Sequence, residues 1–311
     1  FDSRHASRHA PGLLMRARVL GSSAGGGLPQ WNCACRNCEA VRNGELGITA
    51  RTQDSVLVGA GDGAAVLLNA SPDLLVQFAR APELAPRALR HSPLAAVVLT
   101  SGDLDHVLGL LSLREDQPLS VYATAEVQVG LCERNVLFRR SALRFRLLEP
   151  GRTIELLAAD GGRTGLELTP FALSGKLPRH LEGTRPSAAG DLVGLSLAAG
   201  RQRLVYASTA AALDGLAPEV DAANVVLFDG SFFSDDELPR LGIGTRTARD
   251  MAHLPVGGTD GSLANFPRCS ARRIYTHVNN TNPMLRRDSP EAVAVARAGW
   301  EIAYDGMELF S

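Results

Sequence analysis

Apolar positions recur along this chain in two rhythms. Runs such as Ala95-Ala-Val-Val-Leu99 and Val225-Val-Leu-Phe228 are continuously apolar, which predicts strands buried on both faces. With the other β-rich runs, strands are expected at 16–20, 55–58, 65–69, 95–100, 120–123, 166–173, 193–198, 203–207, 224–229, 273–277 and 301–304. Helices are expected between them, at 72–78, 106–113, 125–132, 210–215, 235–241 and 290–298. No Pro-, Gly- or Ser-rich linker and no internal repeat divides the chain. The simplest reading is one layered α/β domain over 15–311, with two sheets between helices. Function on such a fold sits in loops at strand ends.

Composition mainly excludes. The 311 residues are 45% hydrophobic and 21% charged, with a formal net charge of −1, so nothing predicts binding to nucleic acid or an anionic membrane. No apolar run nears the roughly 18 residues a membrane helix needs. The segment 1–14, with Arg4, His5, Arg8 and His9 and no apolar core, is not a secretory signal. It reads as a tag remnant or misassigned extension without fixed structure, with Met15 opening the protein. All of the 32 Lys and Arg residues except Lys176 are arginine, a bias of base composition. Five cysteines, three of them clustered, make no disulfide framework, and a reducing cytoplasm is the expected compartment.

Those three carry the first chemistry. Trp31-Asn-Cys-Ala-Cys-Arg-Asn-Cys38 places Cys33, Cys35 and Cys38 within six residues. Thiolates are soft ligands, and clustered ones favour zinc in a structural role. The plainer alternative is three unrelated buried cysteines. A closed zinc site needs a fourth ligand, which the run does not supply. Cys132 and Cys269 stand alone and read as core residues. The preceding 21–27 stretch, Gly-Ser-Ser-Ala-Gly-Gly-Gly, lacks the Lys-Ser/Thr of a phosphate loop and does not match the dinucleotide fingerprint. A turn feeding the clip is the better reading.

The second chemistry lies at strand ends. Leu99-Thr-Ser-Gly-Asp-Leu-Asp-His106 leaves a buried strand and opens a helix. Asp103 or Asp105 could simply cap that helix, which leaves the adjacent His106 unexplained. Arg273-Ile-Tyr-Thr-His277 ends a strand on a histidine, Val226-Leu-Phe-Asp229 ends one on an aspartate, and Asn69-Ala-Ser-Pro-Asp73 has the same strand-to-helix form. Polar residues at four strand ends predict one shared site at one edge of the sheets.

The 100–109 segment resembles the Thr-His-x-His-x-Asp-His-x-x-Gly signature of the metallo-β-lactamase superfamily, with two metal-binding histidines replaced by Ser101 and Asp103. The cysteine clip and Tyr304-Asp-Gly-Met307 resemble that superfamily's phosphodiesterase branch. Longer stretches, Gly25-Gly-Gly-Leu-Pro-Gln-Trp-Asn-Cys33, Leu68-Asn-Ala-Ser-Pro-Asp73, Leu111-Ser-Leu-Arg-Glu115, Gly242-Ile-Gly-Thr-Arg-Thr247 and His277-Val-Asn-Asn-Thr-Asn-Pro283, resemble the coenzyme PQQ synthesis B family within it. Met251-Ala-His253 stands where that family's pattern has Met-Gly-His, a small-for-small change that keeps the histidine.

The resemblance implies an αβ/βα sandwich. It also implies that a bridging aspartate is missing, because Ser208 and Thr209 follow the strand where one would stand. The two-metal hydrolase site is then dismantled, and a residual hydrolase is disfavoured. Asp105, His106 and His277 remain, one carboxylate and two imidazoles, the donor set of non-haem iron(II) oxygenases. Zn2+ at the clip and Fe2+ at the functional site are the implied metals, although the same ligands also take zinc. The implied activity is iron- and O2-dependent hydroxylation of the tyrosine-derived ring in a crosslinked Glu–Tyr precursor of pyrroloquinoline quinone (PQQ). The alternative is a non-enzymatic carrier that helps move PQQ or its precursor out of the cytoplasm. Other proteins of that pathway and a second copy of the chain are candidate partners.

Roles follow by the same resemblance. Asp229 and Asp103 would orient ligands or move protons, His253 would contact the substrate ring, and Asn69, on the substrate side, would orient the metal-binding loops. Lys176, Arg179, Arg246 and Arg249 would meet substrate carboxylates, the alternative being that some are surface residues without a role. Asn280 stands where the phosphodiesterases carry a histidine that completes the cysteine site. It would approach the zinc directly or through water, or else only hydrogen-bond the loop backbone.

Overall fold

A computed structural model describes residues 14–133 and 135–310. The expected extension at 1–14 lies outside the described residues, apart from Leu14. One sheet holds β1 (Met15–Gly21), β2 (Ser55–Ala60), β3 (Ala65–Leu68), β4 (Leu94–Val98), β5 (Leu119–Ala123) and β6 (Leu143–Leu147), in that order. The other runs β13-β12-β11-β10-β9-β8-β7, from β7 (Ile154–Leu157), β8 (Arg163–Ala172), β9 (Val193–Ala199), β10 (Gln202–Ala207), β11 (Val225–Asp229), β12 (Arg272–Thr276) and β13 (Trp300–Ile302). Each sheet starts antiparallel and ends parallel, with parallel pairing from β3 to β6 and from β10 to β13.

Alternation along the strands builds the layers. Val56, Val58, Val66, Leu68, Ala96 and Val98 meet Leu195, Leu197, Leu204, Tyr206, Leu227 and Ile274 between the sheets. The opposite parity packs outward under helices: Leu57, Leu67, Val97 and Val121 on one sheet, Val205, Val226, Phe228 and Tyr275 on the other. Strands buried on both faces are why the runs read as continuously apolar. The helices are α1 (Arg36–Arg42), α2 (Leu74–Arg80), α3 (Leu104–Val107), α4 (Ala125–Cys132), α5 (Ala217–Asp221), α6 (Glu237–Arg240), α7 (Ser262–Asn265) and α8 (Pro290–Arg297). The outer cores draw on α2 and α4 over the first sheet and on α1, α5 and α8 over the second. The expected αβ/βα sandwich is therefore present.

Several elements depart from expectation. The helix expected at 210–215 is absent: the Ala210 N–H donates to the buried Asp229 carboxylate at 2.9 Å, and helix forms only at α5, with a proline in its first turn. The helix expected at 106–113 is a single α turn, α3, followed by a 3-10 segment, Leu108–Ser112. Gly109 lies against the carbonyls of Ala70 and Ser71, where a Cβ would meet Ser71 O at 2.2 Å. Strands β6 and β7 and helix α1 were not expected.

Candidate metal centre

The parallel strands of both sheets end at one edge, and their C-terminal loops carry the polar residues. Register sets Asp229 beside Thr276, so the ends of β11 and β12 bring Asp229 and His277 together. The loop after β4 carries Ser101 and Asp103, and α3 carries Asp105 and His106, across from them. Asp103 occupies the N-cap position of α3 but makes no side-chain capping bond; it accepts from Ser101 Oγ at 2.8 Å instead. Capping therefore does not account for these aspartates.

Asp105, His106 and His277 each direct one donor atom to a common point. His277 Nε2 lies 3.1 Å and His106 Nε2 3.9 Å from the same Asp105 Oδ2. The other ring nitrogens are engaged: His106 Nδ1 is 2.9 Å from Ser101 Oγ and His277 Nδ1 is 2.8 Å from Ser231 Oγ. His106 Nε2 is buried and has no hydrogen-bond partner among the described residues. An orphaned ring nitrogen facing a carboxylate and a second imidazole is what an ion would satisfy, so the donor set fits a metal. The electrostatics agree. Burial alone would raise Asp105, but the charges of His106 and His277 and the His277 hydrogen bond hold it well below the usual carboxylate range. Burial opposes charge on His277, yet Asp105, with Asp54 and Asp229 nearby, pushes its pKa up to about 9. The half-buried Asp105 and the buried Asp54 and Asp229 thus favour positive charge at this point.

Beside it, His253 Nδ1 is 2.7 Å from Asp229 Oδ2, and its ring stacks on His277 at 5.6 Å. Burial would raise Asp229, but the charge and hydrogen bond of His253 keep it lowered. A cavity of about 300 Å³ opens above, lined among others by Asp103, Asp105, Lys176, Arg179, Phe232 and His253. Thr209 also lines it, whereas Ser208 is buried.

Of the four expected cationic contacts, the structure brings only Lys176 and Arg179 to this cavity. Arg246 does not line it and turns to Glu182 at 3.4 Å and the Asp250 carbonyl at 2.9 Å, two acceptors that Lys176 also meets, at 3.1 and 3.3 Å, and Arg249 is exposed beside the Asp260 carbonyl. Asn69 is fully buried and cannot touch a substrate. Its Oδ1 accepts from Thr100 N and Oγ1, both at 3.0 Å, and its Nδ2 donates to Tyr206 Oη, which holds the loop bearing His106.

The cysteine clip lies close by. Asn280 Nδ2 stands 3.2, 3.5 and 3.3 Å from the sulfurs of Cys33, Cys35 and Cys38. A side-chain amide can be turned over to present its oxygen at the same place, so its tip occupies the fourth position of a three-thiol site. Asn37 Nδ2 donates to the carbonyls of Asn280 and Asn282, at 3.0 and 2.8 Å, and pins the loop to α1. Burial pushes the Cys35 thiol up to about 11, so a thiolate there calls for a cation.

Sequence reasoning missed Asn37, Ser231 and Asp54. Asp54, fully buried, accepts from Thr276 Oγ1 at 2.8 Å and from Tyr206 Oη, joining both sheets beneath the site. Isolated serines and asparagines give no periodic signal; only the placement of Asp54 just before a buried strand could have drawn notice.

Comparison with known proteins agrees with this geometry. A beta-lactamase superfamily domain model matches residues 64–278. Coenzyme PQQ synthesis protein B of Methylobacterium sp. (strain 4-46) is 42% identical over 306 residues, covering 95% of this chain and 99% of its own. That of Rhizobium meliloti (strain 1021) is 42% identical over 304 residues, with 95% and 97% covered. The solved structure of Zn(2+)-bound PqqB from Methylobacterium extorquens superposes with a TM-score of 0.89 at 38% identity, covering 95% of this chain and all of that one. A diphosphatase of the PhnP family, at TM-score 0.64 and 20% identity over 96% of this chain and 98% of its own, shares the fold. The chain belongs to the coenzyme PQQ synthesis protein B family, within the beta-lactamase superfamily.

Proposed function

We propose that this chain serves PQQ biosynthesis as an iron(II)- and O2-dependent hydroxylase of the tyrosine-derived ring in a crosslinked Glu–Tyr precursor. The observation that carries the reading is the donor set of Asp105, His106 and His277; the neighbouring group of Asp229, His253 and His277 shares one of its histidines, and Ser101, Asp103, Ser208 and Thr209 stand where, by the resemblance, a second metal would need ligands. One carboxylate and two imidazoles leave positions open around an ion. Iron(II) held there would supply activation of dioxygen, which zinc, having no redox chemistry, does not.

The chain's own residues do the rest. Lys176 and Arg179 at the cavity mouth suit the carboxylates of the precursor. Phe232, 5.7 Å from the His253 ring, offers an apolar flank for an aromatic ring. His253 donates a hydrogen bond from Nδ1 to Asp229, which leaves Nε2 to take a proton from the ring hydroxyl. Asp103 and Asp229 orient the ligand loops. Asn280 completes the clip around a structural zinc.

Insertion of one oxygen atom into the ring C–H bond leaves the other as water, with two electrons from an added reductant and two protons from solvent. Iron-loaded protein given precursor and reductant is expected to consume O2, and zinc-loaded protein is not. Equal turnover with both metals, or product without oxygen, overturns the hydroxylase. Binding of precursor with no turnover under any metal favours the carrier.

A further inference from the structure

The two histidines of the donor set are held by the same device. His106 Nδ1 lies 2.9 Å from Ser101 Oγ, which lies 2.8 Å from Asp103 Oδ2. His277 Nδ1 lies 2.8 Å from Ser231 Oγ, whose bond to Asp229 Oδ1 is 2.6 Å. Each is an imidazole–hydroxyl–carboxylate chain, one built on each sheet. A hydroxyl has a single proton, so its direction decides the tautomer of the ring beside it.

The surroundings settle that direction. A carboxylate accepts more strongly than a neutral ring nitrogen, so the Ser101 proton goes to Asp103 and the Ser231 proton to Asp229. The other acceptor near Ser231, the His277 carbonyl at 3.0 Å, would take the proton with the same result. Thr100 Oγ1, 3.3 Å from His106 Nδ1, is engaged with Asn69 Oδ1 at 3.0 Å. None of these hydroxyls has a proton to spare for a ring. Both Nδ1 atoms must then carry one and donate, which leaves Nε2 of each ring as the atom that would face an ion: His106 Nε2 has no partner among the described residues, and His277 Nε2 would give up its hydrogen bond to Asp105.

We infer that Ser101 and Ser231 are positioning residues that fix the metal-binding tautomer of His106 and His277 and pass part of the charge of Asp103 and Asp229 to them. The inference rests on the metal reading above and deepens it. It also gives Ser101 and Asp103, which resemble replaced ligands, a task of their own. Asp229 serves two partners: Oδ1 holds the relay to His277, and Oδ2 holds His253. Removing Ser231 thus disturbs a ligand histidine and leaves the His253 contact in place.

The test uses the full chain with its clip filled with zinc. Ser101→Ala and Ser231→Ala are each expected to weaken cobalt(II) binding by about 10–100-fold, measured by chelator competition. Ser101→Thr and Ser231→Thr, which keep the hydroxyl, should recover most of it. Nitrogen-15 correlation spectra of the wild-type rings without cobalt should show protonated Nδ1 on both histidines, and each alanine variant should lose that preference at its own ring. Alanine variants that stay folded and bind cobalt as tightly as wild type overturn the proposal, as do wild-type rings protonated at Nε2 alone. His106→Ala separates the two readings: if it leaves cobalt uptake unchanged, the donor set itself is wrong, while the ring spectra still judge the relays.

Discussion

Ala252 sits in the left-handed region, at φ 63° and ψ 36°, directly before His253. Glycine adopts that conformation freely, whereas an alanine there costs about 1 kcal/mol. His253 is thus held in place at the expense of backbone strain. Ala252→Gly is expected to stabilise the fold by about 1 kcal/mol and raise Tm by about 1–3 °C, and calorimetry showing a lowered Tm would refute this. Glu237 offers a second residue-scale test. Its carboxyl is buried and accepts from Thr281 Oγ1 and Phe233 N, and burial pushes its pKa up to about 7. Because the folded state holds this proton more tightly than the unfolded chain, stability falls as pH rises from about 4.5 to about 7 and is level above that. The loss amounts to about 3 kcal/mol. In Glu237→Gln that portion of the stability–pH curve should flatten; an unchanged slope in urea titrations contradicts the assignment. Neither feature was legible beforehand. Asp105, His106 and His277 were singled out, because polar residues gather at several strand ends and the 100–109 segment resembles a metal-binding signature. Ser101 and Ser231 act through single hydrogen bonds that leave no pattern.

At the scale of elements, the strands buried on both faces were legible because every position had to be apolar. Strand β6, Leu143-Arg-Phe-Arg-Leu147, alternates at a sheet edge, where charged side chains guard unpaired backbone, and its low apolar content hid it. The expected helix at 210–215 fails through a long-range bond from Ala210 to Asp229, which no local propensity encodes. The segment after β12 links two sites, since His277 and Asn280 stand three residues apart and Asn37 ties their loop to α1. Asn280→Ala is expected to lower the clip's affinity for zinc by about 10–100-fold and to weaken metal binding at His277 by a smaller factor. Chelator competition reads both; unchanged zinc affinity would mean that Asn280 serves only the loop backbone.

Over the whole molecule, two sheets of similar build end their strands at one edge, and the site lies where the loops meet. Asp54 on the first sheet, bonded to Tyr206 and Thr276 on the second, fixes the distance between the two halves of the donor set. The layered architecture was legible in the alternation of apolar runs, but the joint between sheets was not, because its partners lie 152 and 222 residues away from Asp54 along the chain. No helix among the described residues is long and apolar enough to cross a membrane. The central claim is that one edge of this sandwich holds a single redox metal that hydroxylates an aromatic ring. Iron-loaded protein, precursor and reductant under heavy-isotope dioxygen in ordinary water give the most direct test, read by mass spectrometry of the product. The account predicts one heavy oxygen atom in the ring hydroxyl, and none when His277 is replaced by alanine. A product whose new oxygen comes from water would contradict it.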